Sequence, residues 1–154
     1  TDVKAIINLA REAFDYVVID MPQALMNWSE PVYTASDLFF PVMEIDMRSA
    51  QNMFRFLRTL KVEGMQLDKL VFTLNRAPGM TDFSGKSRIA RVAESLGIQY
   101  SYLVPDGGKQ VVNACDQGIP LLEVAKSNPV RKEIARMVKQ IVAHEPETAA
   151  AKSG

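Results

Sequence analysis

The sequence predicts an α/β fold in three layers, a mostly parallel sheet with helices on both faces. Two observations predict it. Short apolar runs, typical of strands covered on both faces, alternate along the chain with stretches whose apolar residues recur at helical spacing. Strands that alternate with helices are joined by right-handed crossovers, which make the strands parallel. Ligands of such folds bind at the carboxyl ends of the strands.

Five helices are predicted from apolar periodicity and from the residues that begin and end helices. The first covers residues 1–14, and the second covers residues 50–60, with Asp46 or Ser49 as its cap. The third reaches residue 96 and stops at Gly97, and a short fourth helix at residues 111–115 stops at Gly118. The fifth covers residues 130–141, after Pro129 in its first turn and a cap at residue 127 or 128.

Four strands are predicted between these helices, at residues 16–20, 38–43, 69–74 and 98–104. Pro41 lies inside the second of them and has no backbone N–H to donate to a sheet. The second strand is therefore expected to be an edge, to be short, or to be bulged at this residue.

The composition favours one domain with a flexible tail. The chain has 154 residues, 47% of them hydrophobic, and its 18 basic residues balance 18 acidic residues. It has no overall basic field to attract nucleic acid or a membrane, and no run resembles a membrane span or a signal peptide. We expect a cytoplasmic location, a domain at residues 1–144 and a tail at 145–154. A single cysteine, Cys115, and a single histidine, His144, argue against an internal disulfide and a histidine-rich metal site.

The stretch GMTDFSGKS, residues 79–87, has some features of a phosphate-binding loop. That loop has four residues between its glycines and then Lys and Ser or Thr, but five residues separate Gly79 from Gly85. The extra residue would redirect the N–H groups that hold phosphate. We interpret Ser84 as a helix cap followed by Gly85, Lys86 and Ser87 in the first turn, and we expect Lys86 to face solvent or a partner.

Polar residues follow three of the predicted strands. Asp20 ends the first apolar run, where a carboxylate can hold Mg²⁺ through water or can simply cap a turn or helix. Asn75 and Arg76 follow the third strand, and they form either a binding site or a turn. Pro105 and Asp106 follow the fourth. If ligands bind at strand ends, these five residues are the candidates.

Three segments, in order and spacing, resemble a known family. FDYVVIDMP, VFTLNR and LVPDGGKQVVNACDQGIPLLEVAKSNPVRKEIARMV are similar to the carboxyl-terminal two-thirds of the MinD/ParA superfamily of deviant-Walker ATPases. Within it, the chain looks most like pilus-assembly proteins of the CpaE/TadZ type. The resemblance runs from Phe14 to Val142. It implies ATP or ADP with Mg²⁺ as cofactors, a homodimer in the full-length form, and pilus-assembly or secretion components as partners. Such partners would bring a cytoplasmic protein to a pole or membrane.

The resemblance also implies roles for single residues. Asp20 would match the catalytic aspartate that is linked to Mg²⁺, with Met21 and Pro22 at the start of a switch that responds to the γ-phosphate.

On the adenine side, Asn75 would match the asparagine that reads the base edge with its amide donor and acceptor. Arg76 would lie beside the base, where a guanidinium can stack. Pro105 and Asp106 would match the loop that covers the other side of the adenine.

The chain departs from the family pattern in one important respect. The family's glycine-rich loop with two lysines, and the aspartate of its first switch, do not occur in these 154 residues. Each preorganised donor of such a site typically contributes about 2.7–4 kcal/mol to transition-state stabilisation. We therefore expect no ATP hydrolysis by this polypeptide alone, whatever the full-length protein does. A localisation scaffold that does not hydrolyse ATP, and a ParA-like DNA-partitioning ATPase, are the alternatives.

Two further surfaces have open interpretations. The segment at residues 26–37, with Trp28, Pro31 and Tyr33, forms either a partner or dimer surface or ordinary helix packing. The basic residues Arg131, Lys132, Arg136 and Lys139 lie on the polar side of the last helix. A solvated face is the simpler interpretation, and contact with DNA or a membrane is the other.

Overall fold

The computed structural model describes residues 2–22, 26–79, 81–124 and 126–143 and shows an α/β fold. Its elements are α1 (Asp2–Ala13), α2 (Ser29–Ala35), β1 (Val42–Met43), α3 (Met47–Val62), β2 (Thr73–Ala77), α4 (Phe83–Leu96), β3 (Tyr102–Pro105), α5 (Gly108–Asp116), α6 (Leu121–Val124) and α7 (Pro129–Ala143). Among the described helices, none is long and apolar enough to cross a membrane.

The three strands form one parallel sheet in the order β1-β2-β3. Helix α3 connects β1 to β2, and α4 connects β2 to β3. The predicted alternation of strands and helices, and the parallel sheet that follows from it, are confirmed. Short βαβ connections of this kind bring the carboxyl ends of all three strands to one edge of the sheet.

Both faces of the sheet are covered over part of their width. The register puts Val42, Thr73 and Tyr102 on one face and Met43, Leu74 and Leu103 on the other. Helix α7 packs against β3, with the Arg136 guanidinium 5.4 Å from the ring centroid of Tyr102, and α3 contacts β1. Val42 and Leu103 remain 60% and 44% exposed. Each face therefore has one buried part and one open part.

The chain divides into two compact units, Thr1–Phe39 with Asp68–Leu70, and Phe40–Leu67 with Val71–Gly154. The second unit contains the sheet. In the first unit α1 packs against α2, and Phe39 pairs with Leu70 in an isolated parallel bridge. The Lys69 ammonium donates to the Tyr33 and Ser36 carbonyls and lies 4.3 Å from the centroid of the Tyr33 ring. These contacts tie residues 68–70 to the end of α2.

The predicted strand at residues 16–20 is wrong for this structure. The segment belongs to no strand of the described chain, and its apolar side chains are exposed, with Val18 at 95%. A strand forms only when its backbone N–H and C=O groups meet those of a neighbour. None of the strands in the described part of the chain supplies that neighbour.

The other three strands form but are shifted from their predicted limits. Strand β1 has only two residues, which agrees with the short strand expected from Pro41. Pro41 has no N–H to donate to the sheet, although its carbonyl accepts a hydrogen bond from the Thr73 N–H at 3.1 Å. Strand β2 begins at Thr73 and continues to Ala77, so Asn75 and Arg76 lie inside it and do not follow it. Strand β3 likewise includes Pro105.

The helix caps agree with the prediction except at one helix. The Asp46 carboxylate caps α3 and accepts from the Ser49 N–H at 2.8 Å. The cap of α4 is Asp82, which accepts from the Gly85 N–H at 2.8 Å, so the prediction of Ser84 is wrong. An N-cap side chain bonds the N–H of the second or third helical residue, and Asp82 is the residue at that distance from Gly85. Ser84 instead donates to Asp82.

Candidate functional site

The candidate residues of the second unit lie at the carboxyl edge of the sheet. Glu44 directly follows β1, Asn75 and Arg76 are in β2, and Pro105 ends β3. The register between β2 and β3 shifts after Leu74 and resumes where Ala77 pairs with Pro105. The structure thus brings the predicted residues of β2 and β3 to one place.

Arg76 has an unusual backbone. Its φ is 50°, the one left-handed value among the described residues other than glycine. It lies where the β2–β3 register shifts, and its Nε is 3.6 Å from a Glu44 carboxylate oxygen. A left-handed residue with a side chain costs about 1–2 kcal/mol, and such strained residues often occur at binding sites. Glu44 is not predicted from the sequence, because nothing local marks it as a partner of Arg76.

Asn75 precedes this strained residue and is half-buried. Its side-chain amide makes no hydrogen bond with any of the described residues. An amide has two donors and a carbonyl acceptor, so this side chain keeps its full capacity to bind an edge with alternating donors and acceptors. The flat guanidinium of Arg76, the next residue, can pair with an anion or stack on a planar ring.

The loop after β3 is held tightly. Asp106 accepts a hydrogen bond from the Gly108 N–H at 2.7 Å, and Gly108 has a φ of 59°. A Cβ on Gly107 would lie 2.1 Å from Cγ2 of Val111 and 2.8 Å from Cγ2 of Val130. Only glycine fits at residue 107 without displacing these side chains. The close packing around Gly107 and the hydrogen bond from Gly108 to Asp106 thus define the path of this loop.

Asn128 anchors the same loop from the start of α7. It is 2% exposed, and its Nδ2 donates to the Gly107 carbonyl at 3.0 Å and to Oε1 of Gln110 at 2.9 Å. Its Oδ1 accepts from the Val130 N–H at 3.0 Å, which confirms the predicted cap. The capping role is predicted from the sequence, but the contact with the loop is not. That contact joins residues far apart in the chain, so no local pattern reveals it.

Asp20 lies in the first unit and is exposed. Among the described residues there is no group of three or more His, Cys, Asp or Glu side chains that could hold a metal ion. The assignment of Asp20 to Mg²⁺ therefore stays a prediction.

The other two surfaces each include internal contacts. Val32 and Tyr33 of α2 are buried and Trp28 is half-buried, which favours helix packing for residues 26–37. On α7, Arg136 pairs with Glu133 and stacks on Tyr102, and the hydrogen bond to Glu133 raises the pKa of Arg136. One of the four basic residues of this helix is thus used internally.

Comparison with known proteins adds the fold. No protein-family model and no curated protein matches the chain. A solved structure, a ParA family ATPase from Chlorobium tepidum TLS, superposes with a TM-score of 0.77 at 19% sequence identity. The α/β fold of the chain matches part of the fold of that ATPase. The match covers 87% of this chain and 54% of the other, so the chain spans about half the length of that ATPase.

The α/β fold indicates where a ligand of this sheet would bind. In doubly wound α/β folds, the ligand binds outside the carboxyl ends of the strands. Asn75, Arg76, Pro105 and Asp106 all lie at that edge of the second unit. Asn75, Arg76 and Pro105 lie within the described strands, and Asp106 directly follows β3.

Proposed function

We propose that this chain is the adenine-binding part of a nucleotide-dependent ATPase of the ParA/MinD type. The observation that carries the proposal is the meeting of β2 and β3 at the carboxyl edge, where Ala77 pairs with Pro105 beside the strained Arg76. The half-buried amide of Asn75, which is unbonded among the described residues, comes directly before Arg76.

In this proposal each residue has a distinct role. Asn75 forms paired hydrogen bonds with the edge of adenine, and Arg76 stacks on the base. Pro105 and Asp106 cover the other side of the base. Gly107 and Asn128 hold that loop in place, because a rigid loop loses less conformational freedom when a ligand binds.

The phosphates are expected to bind residues that these 154 do not include. The sequence has no glycine-rich loop of the required spacing, and Lys86 is exposed on α4, where it lies 5.8 Å from the Phe83 ring centroid. We propose that Asp20 holds Mg²⁺ through water once such a loop is present. Bound Mg²⁺ would neutralise charge on the phosphates.

At the level of the cell, we propose a nucleotide-switched homodimer that positions pilus-assembly or secretion machinery. The resemblance of the sequence to CpaE/TadZ-type proteins supports this role. A scaffold that has kept the fold but lost nucleotide binding is the nearest alternative, and the binding experiment below separates the two.

The proposal is tested by measuring the binding of adenosine, guanosine and ATP to the chain by calorimetry. We expect adenosine and ATP to bind within about threefold of each other, because only the base contacts the chain. Guanosine should bind at least about tenfold more weakly, since its edge leaves the Asn75 amide mispaired. Asn75→Ala should weaken adenosine binding about tenfold, while Lys86→Ala should not change it.

Four results would contradict parts of the proposal. Equal affinity for adenosine and guanosine would contradict the role of Asn75. A large loss of nucleotide affinity in Lys86→Ala would indicate a phosphate-binding loop at residues 79–87. Absence of nucleotide binding would favour the scaffold. Magnesium-dependent phosphate release by the chain above a protein-free blank would contradict the expected lack of hydrolysis.

The role of Asp20 needs a longer protein that carries a phosphate-binding loop. There we expect ATP to promote dimerisation and Asp20→Ala to abolish that effect, measured by light scattering with and without ATP. If neither ATP nor Asp20→Ala changes the extent of dimerisation, the protein is not a nucleotide-dependent switch.

DNA partitioning is a second candidate, because α3 and α4 are strongly basic although the chain as a whole is neutral. A partitioning ATPase would retard duplex DNA at physiological salt with little preference for sequence.

A further inference from the structure

We propose that the surface formed by α3 and α4 binds an acidic amphipathic helix of a partner protein. The first observation is charge. These two helices contact each other and carry seven basic residues and one acidic residue. The complete chain is neutral, so the rest of it has a net charge of −6. The basic residues are Arg48, Arg55, Arg58, Lys61, Lys86, Arg88 and Arg91, and all are exposed.

The second observation is a groove between the two helices. It has a volume of about 460 Å³ and is lined by α3 and by the carboxyl end of α4. Phe54, Ala50 and Leu96 provide apolar surface, and Arg55 and Arg58 lie beside them. Phe54 is 56% exposed. An exposed aromatic side chain flanked by guanidinium groups suits a ligand that has both apolar and acidic side chains.

The third observation is the length of the apolar surface. Met47, Phe54 and Val62 of α3 are all more than half exposed and follow one another at spacings of seven and eight residues. That spacing places them along one side of the helix, over about 22 Å. A partner helix of about four turns would cover them with residues at every third or fourth position, as in helix-in-groove recognition.

The charges on this surface are available to a partner. Among the described residues, Arg55, Arg58 and Arg91 form no salt bridge with any carboxylate. An acidic helix would therefore gain charge pairs without breaking any internal pair found in that part of the chain. Charge complementarity of this kind raises association rates and excludes basic partners.

The apolar groove favours a protein helix over DNA. Phosphate contacts are made by charge and hydrogen bonds, so a surface for nonspecific DNA binding gains little from an exposed Phe54 or Val62. Burying such side chains stabilises a complex only when the partner also has apolar groups.

The test uses fluorescence anisotropy with the full chain at physiological salt. The probe is a labelled helical peptide of about 16 residues, with leucines at every third or fourth position and glutamates elsewhere. A scrambled peptide of the same composition and a duplex of about 20 base pairs are compared with it. We expect the amphipathic peptide to bind at least about tenfold more tightly than the scrambled peptide, with Phe54→Ala and Arg55→Glu/Arg58→Glu each reducing binding at least about tenfold.

The matched control is Lys132→Glu/Lys139→Glu, which makes the same change in net charge on exposed residues of α7. It should change the affinity less than about threefold. Circular dichroism and urea unfolding check that every variant folds. The proposal is overturned if no peptide binds, if the scrambled peptide binds equally well, or if Phe54→Ala has no effect. It is also overturned if DNA binds more tightly than the peptide, or if the surface proves to be a dimer contact of the chain.

Discussion

The Nε of Arg76 lies 3.6 Å from a carboxylate oxygen of Glu44, and the φ of Arg76 is 50°. The pair links the residue after β1 to the irregular part of β2. The Arg76 side chain is 62% exposed and the Glu44 side chain is 40% exposed. The ion pair therefore contributes at most about 1 kcal/mol to the free energy of unfolding. The left-handed backbone of Arg76 costs about 1–2 kcal/mol, so the ion pair does not fully offset this strain.

At Arg76, glycine should therefore be more favourable than alanine, which is the reverse of their usual order in regular secondary structure. We expect Arg76→Gly to be more stable than Arg76→Ala by about 1 kcal/mol, because glycine adopts the left-handed region without a clash. Urea unfolding monitored by circular dichroism measures the difference. The same two substitutions at Arg55, in the middle of α3, should give the opposite order by about 1 kcal/mol. An alanine variant at residue 76 as stable as the glycine variant would show that the backbone relaxes.

Gly107→Ala should destabilise the second unit by about 1–3 kcal/mol, because the new Cβ would lie 2.1 Å from Cγ2 of Val111. The control is Gly79→Ala, where no atom lies within 4 Å of the added Cβ. It should change the unfolding free energy by less than about 0.5 kcal/mol. Adding Val111→Ala to Gly107→Ala should give a loss smaller than the sum of the two single losses. Simple additivity of the two would refute the clash as the cause.

Asn128→Ala should cost about 2 kcal/mol, since it removes the amide that bonds Gly107 and Gln110 in a buried setting. Asn128→Ser separates the two roles of the residue, because serine can cap α7 but is too short to hold the loop as well. We expect serine to restore only part of the stability. Asn113→Ala, on the exposed side of α5, is the control and should be close to neutral. Full recovery with serine would mean that Asn128 acts only as a cap.

The two aspartate caps should make stability depend on pH in the acid range. The backbone N–H of Ser49 lowers the pKa of Asp46, and that of Gly85 lowers the pKa of Asp82, with help from the Ser49 and Ser84 side chains. A pKa that is lower in the folded state gives stability that is complete above the unfolded value of about 3.9 and is lost as pH falls through the folded value.

The variant Asp46→Asn/Asp82→Asn keeps a capping oxygen but cannot titrate. We expect its stability to fall less steeply than that of the unmodified chain as the pH is lowered below about 4, measured by urea unfolding at several pH values. Parallel curves for the double variant and the unmodified chain would contradict a role of these caps in acid unfolding.

The sequence by itself determined the local features of the chain and the order in which helices and strands alternate. Helical periodicity located α1, α3 and α7, the cap Asp46 and the stop at Gly97 were recognisable, and the alternation of elements predicted a parallel sheet. It also indicated Asn75 and Arg76, although it placed them after a strand that in fact contains them. Hydrogen bonds of caps and turns join residues close in the chain, so their signals survive in the sequence.

The tertiary structure alone decided the features that need distant partners. The left-handed Arg76 with its Glu44 partner, the loop anchored by Asn128, and the basic groove of α3 and α4 join residues 21 or more positions apart. The same reason explains the failure at residues 16–20, whose apolar run predicts a strand. Composition shows that a segment can pair or pack, but only the folded chain determines whether a partner lies beside it.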